Sequence, residues 1–102
     1  MQMTRKDILQ EAIKCVIGDR QESYGSPENS FGVIVDLWNT YLTAKLPPGL
    51  TLNLRPVDVA AMMSLLKIAR IASGNYKSDN WIDLAGYAAC GGELESIEPE
   101  EN

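Results

Sequence analysis

The chain has no histidine at all, and Cys15 and Cys90 are its two cysteines in 102 residues. The missing imidazole excludes Ser-His and Cys-His nucleophilic chemistry and histidine-ligated zinc. Each cysteine stands alone in an apolar helical pattern, with no second ligand at metal-binding spacing, so both read as buried thiols. No apolar run approaches the roughly 20 residues needed to cross a bilayer, and Met1 to Lys6 lack the basic-then-apolar layout of a secretory signal. No membrane contact is expected, and the expected location is the cytoplasm. A basic excess is missing as well, with 9 Lys and Arg against 14 Asp and Glu for a net charge of −5. Glu93, Glu95, Glu98, Glu100 and Glu101 supply that imbalance, leaving residues 1–92 neutral. Long contact with a phosphate backbone needs a basic stripe, so extended nucleic acid is not an expected partner.

Alternating strand-like runs and internal repeats are also lacking, whereas helical periodicity is plentiful. At 45% hydrophobic and 23% charged residues, the chain reads as one all-α domain over residues 1–92 and an acidic flexible tail over 93–102. Thr4 with Asp7 forms a capping-box signature, and Ile8, Leu9, Ala12, Ile13, Val16 and Ile17 trace the first apolar stripe up to Gly18. Ser26-Pro27 opens a second helix, whose apolar face is Phe31, Ile34, Val35, Trp38, Tyr41 and Leu42. Pro56 opens a third, running to about Ser73 and apolar almost all round. Such a helix belongs at the centre of a four-helix bundle or at an oligomer interface. Ser78 caps a fourth, with Asp79 in its first turn. Ala85, Gly86, Ala88 and Ala89 form a small-residue patch for close helix approach, and Gly91-Gly92 is expected to end the helix.

The candidate chemistry lies in polar side chains set among apolar ones. Asp79 and Asp83 are four apart and share a helix face, where like charges repel by a few tenths of a kcal/mol. A solvated face, an ion pair with Lys67 or Arg70, and a shared divalent cation each explain them. Lys67 and Arg70, three apart, either clamp phosphate oxygens or snorkel to water. Asp58 either favours the start of its helix or serves as a ligand. The segment Asp19-Arg20-Gln21-Glu22-Ser23-Tyr24-Gly25 could meet a nucleotide through charge and stacking, or be a polar turn. Trp38 and Trp81 read as core or interface aromatics.

Together, Asp-Arg-Gln-x-x-Tyr-Gly (19–25), Pro-x-Asp (56–58), Lys-x-x-Arg (67–70) and Asp-Asn-Trp-x-Asp-x-x-Gly-Tyr (79–87) are more specific than any one piece. Over roughly residues 7–92 the pattern resembles a family of small, mostly phage-encoded helical proteins of unknown function. Its closing motif is remotely similar to that of the MazG-like, all-α nucleoside triphosphate pyrophosphohydrolases. That resemblance implies a helical bundle assembled as a homodimer or homotetramer, working in a host cytoplasm if phage-encoded. It also implies magnesium held by Asp58, Asp79 and Asp83 as the catalytic acids. Lys67 and Arg70 would contact phosphate, with Arg20, Tyr24 and Asn80 as further substrate contacts. The implied reaction releases pyrophosphate from a ribo- or deoxynucleoside triphosphate, and magnesium chemistry needs oxygen ligands and no histidine. The third helix departs from the enzymes by offering no Glu-x-x-Glu, so Glu22 or Glu28 would have to complete a ligand set. The alternative is a non-catalytic accessory protein that binds a nucleotide or inhibits a protein partner.

Overall fold

In a computed structural model, which describes residues 2–19 and 26–97 (19, 28 and 29 by backbone alone), the first helix starts where Thr4 predicts. The Thr4 hydroxyl oxygen accepts the Asp7 N–H at 3.1 Å, and the Asp7 carboxylate accepts the Thr4 N–H at 3.0 Å. Two orphan donors of α1 (Arg5–Ile13) are thereby satisfied. Coiling does not stop at Gly18. A π-helical segment, Lys14–Asp19, carries the chain through it. Gly18 does not take the left-handed conformation that would end a helix.

Pro27 occupies the first turn of α2 (Pro27–Lys45), and Ser26 stands at its cap in extended conformation without a side-chain capping bond. Phe31 and Val35 are buried and Ile34 and Trp38 half-buried, as the periodicity predicts, but Tyr41 is exposed. The connection 46–55 is held to α2 by two side chains. The Asn39 amide donates to the Leu54 carbonyl at 2.9 Å and accepts the Leu54 N–H at 2.8 Å, and the Thr43 hydroxyl accepts the Leu52 N–H at 3.1 Å.

Helix α3 (Pro56–Ala72) ends in a Schellman arrangement. The Asn75 N–H donates to the Arg70 carbonyl and the Gly74 N–H to the Ile71 carbonyl, which requires the positive φ of 86° found at Gly74. Helix α4 (Ser78–Ile97) does not stop at Gly91-Gly92. Leu94, 1% exposed, is part of the core and holds the extra turn in place, so residues 93–97, expected to belong to the tail, are helical. Gly91 lies where α3 comes closest, since a methyl group there would meet the Ala60 side chain at 3.2 Å. Gly86 does the same for the π-helical segment, with Val16 3.1 Å from the missing Cβ. The other members of the expected small-residue patch differ in surroundings, Ala88 and Ala89 being exposed.

The described part is therefore all-helical, with four helices and no strand among the described residues. In space the order is α1, α4, α3, α2. Helix α4 packs along α3 and also against α1, and α2 packs on α3 and touches α4 near the Phe31 and Tyr87 rings, 6.3 Å apart. Among the described residues α1 meets neither α2 nor α3, so it lies on the outer side of α4 while α2, α3 and α4 pack on one another. The core, Phe31, Val35, Val59, Ala60, Cys90 and Leu94, lies where α2, α3 and α4 meet.

Candidate functional site

Two fixed points set the register of the central helices: Ala60 faces Gly91, and Lys67 faces Asp83. Their sequence order runs in opposite senses, so α3 and α4 are antiparallel, as the short connection 73–77 demands. At the second point the Lys67 ammonium lies 2.8 Å from an Asp83 carboxylate oxygen, its side chain 12% exposed against 38% for Asp83. Of the three explanations for the acidic pair, an ion pair holds for Asp83. Asp79, a turn earlier on α4, is exposed, as is Arg70, a turn later on α3. Lys67, Arg70, Asp79 and Asp83 thus share one end of the α3–α4 seam, two charges of each sign.

Asp58 is elsewhere. Its carboxylate accepts the Arg55 N–H at 2.7 Å, while its own N–H donates to the Arg55 carbonyl at 2.9 Å, so it acts as the cap of α3. The nine residues from Asp58 to Lys67 put it about 13 Å along the helix from the ion pair. Among the described residues no three acidic or cysteine side chains gather closely enough to hold a metal ion. The described residues therefore do not fit the magnesium site of Asp58, Asp79 and Asp83 that the resemblance implies, because one acid caps a helix and another is engaged by a lysine. The Asn80 amide, 2% exposed, donates to the Asn75 carbonyl at 2.7 Å and fastens α4 to the turn before it. Arg20, Tyr24 and Glu22 lie outside the described residues, as does the side chain of Glu28.

Periodicity did not separate the apolar residues of the core from those of the surface. Leu9, Ile13 and Ile17 form an exposed ridge on α1 and the π-helical segment, and Val33, Leu37 and Tyr41 form one on α2, both at intervals of four residues and each residue more than half exposed. On α3, Met62, Leu65 and Leu66 are 40%, 66% and 47% exposed. Trp81 is half exposed beside an open hollow of about 540 Å³ lined with Met3, Arg5, Ile8 and Leu9. No described helix is long and apolar enough to cross a membrane.

These features define a small all-helical domain with a charge-balanced seam and extensive open apolar surface. The chain belongs to the family described as a domain of unknown function, DUF6378, whose model matches residues 7–95. It is similar to the Gene 55 protein of Mycobacterium phage D29, 36% identical over 85 residues covering 83% of this chain and 51% of the phage protein. The Gene 55 protein of Mycobacterium phage L5 is 36% identical over 95 residues, 93% of this chain and 54% of that protein. The chain spans about half the length of these phage relatives. No solved structure matches it.

Proposed function

We propose that this chain is a helical docking protein, acting on a protein surface through the apolar faces that its fold leaves open. The observation that carries this reading is the outer side of α3, where Met62, Leu65, Leu66 and Ala69 are exposed at helical spacing. An apolar stripe on the side of α3 away from the core contributes nothing to that core and costs solubility unless it meets a partner. The charged seam supports the same reading. Lys67 is already engaged by Asp83, so a phosphate arriving at this ammonium would have to compete with a carboxylate. The test places a photocrosslinking residue at Leu65 in cells that express the chain. Protein adducts are expected there and are expected to vanish when Leu66→Glu is added. The purified chain is expected to leave ribo- and deoxynucleoside triphosphates intact with magnesium. Turnover that Asp83→Asn abolishes would sink the proposal.

A second reading, a MazG-like nucleotide pyrophosphohydrolase acting with magnesium, is favoured by the meeting of Lys67 and Asp83, two residues drawn from separate motifs of the resemblance. On that reading the missing carboxylates would have to come from Glu22, Glu28 or another copy of the chain. The same turnover screen decides between the two.

A further inference from the structure

We infer that the hollow between the starts of α1 and α4 seats a large apolar side chain of an acidic peptide segment belonging to another protein. This extends the docking reading above to a second surface, away from the α3 stripe, and the two stand or fall separately. The hollow, about 540 Å³, is lined with Met3, Ile8, Leu9 and Trp81, with Arg5 and Ser78 as its polar members. That volume is in the range of small-ligand clefts and accepts an aromatic side chain. Trp81, half exposed, stands beside Arg5, and these are two of the residue types that anchor protein interfaces.

Packing concentrates positive charge around the hollow. Its lining brings the start of α1 to the start of α4, and Val16 lies by Gly86, so these two helices run parallel. Helix α3 runs the other way, which carries its last turns and the connection 73–77 to the same end of the molecule. Residues 3–9 and 67–83 therefore gather Arg5, Lys6, Lys67, Arg70 and Lys77, five of the chain's nine basic residues. Asp7, Asp79 and Asp83 are the acids of these segments, which leaves a net charge of +2. Arg5, Lys6, Arg70 and Lys77 are exposed, and none of them forms an ion pair among the described residues. The far ends of the same three helices carry Glu11, Asp58, Glu93 and Glu95 against Lys14 and Arg55, the reverse balance. A body that is neutral overall is thus polar in charge along its helices.

Together the two properties select the occupant. An apolar hollow favours a Leu, Phe or Trp side chain, and exposed cations round it favour carboxylates on either side of that residue. A peptide offers both within a few residues. Single-stranded nucleic acid binds instead by stacking successive bases on several aromatic rings, and Trp81 is the one aromatic ring in the lining. Tyr76, 91% exposed on the connection at this end, adds a further side chain of the interface type.

Selection of displayed random peptides on the purified full chain tests this. Enriched sequences are expected to carry a large apolar residue flanked by Asp or Glu. A synthetic peptide of such a sequence is expected to move the Trp81 indole N–H resonance and not that of Trp38, which packs against the core. Arg5→Glu, an exposed change at a helix start that favours an acid, is expected to weaken the peptide about tenfold by reversing the charge beside the hollow. Leu66→Glu on α3 is expected to leave its affinity unchanged. Failure to enrich any peptide, enriched peptides without acidic residues, a Trp81 signal that stays in place, or full affinity in Arg5→Glu would overturn the inference. So would a single-stranded oligonucleotide that displaces the peptide. Loss of binding in Leu66→Glu moves the peptide to α3, overturning this site and leaving the docking reading, whereas peptide binding here without adducts at Leu65 overturns the α3 reading alone.

Discussion

At the scale of single residues, Lys67 and Asp83 carry the sharpest consequence. A lysine side chain 12% exposed, with its ammonium 2.8 Å from a carboxylate, is held by that partner, and removing either group leaves the other partly desolvated and alone. Lys67→Met and Asp83→Asn are each expected to cost about 1–2 kcal/mol in urea unfolding, below the cost of breaking a fully buried pair because Asp83 remains partly in water. The double variant is expected to cost less than the two losses added together, a coupling of about 1 kcal/mol; strict additivity would show that the pair contributes nothing. The sequence put Lys67 and Asp83 among the residues worth watching, because charges set in apolar stripes need partners. It could not select which of its three explanations applied, since a contact across helices depends on the register of α3 against α4. Asn80 shows the same limit. Its motif marked it as a substrate contact, and the fold buries its amide against the Asn75 carbonyl.

At the scale of the element, local chemistry was legible and glycine was not. Thr4 with Asp7, Pro27 and Pro56 act within one helical turn of themselves, so their signals need no knowledge of the rest of the molecule. The Thr4 N–H, and after it the Thr4 hydroxyl, hold the Asp7 carboxyl below its ordinary value of 3.8. A lowered folded-state value means that the contribution to α1 is present above the unfolded value and disappears as pH falls through the folded one. NMR titration is expected to place Asp7 below 3.8, with helical signal in α1 declining over that acid range, and Thr4→Ala, which removes the hydroxyl and keeps the backbone N–H, is expected to return Asp7 part of the way toward 3.8. An Asp7 titration at the ordinary value in the unchanged chain would contradict the capping geometry. Gly91 misled because glycine serves equally as a left-handed cap and as a point of close approach, whereas Gly18 and Gly92 sit within helical turns with open space where a Cβ would stand. Gly91 is used in the second way, against Ala60, and the helix continues to bury Leu94.

At the scale of the whole molecule, one core shared by α2, α3 and α4, with α1 on the outer side of α4, leaves many apolar side chains that share the helical period of the core in water. Helix α1, nine residues long, packs on α4 and the π-helical segment and on neither α2 nor α3 among the described residues, so one side of it stays open.

The sequence by itself determined that the chain is helical, where three of its four helices begin and turn, and which charges stand out from their surroundings, because capping, proline placement and periodicity act over one or two turns. The tertiary structure alone decided which charges meet, which acid merely caps a helix, and which apolar stripes face the core. Those outcomes depend on the order and register in which whole helices pack, and identical stripes look the same along the chain whether they end up inside or out.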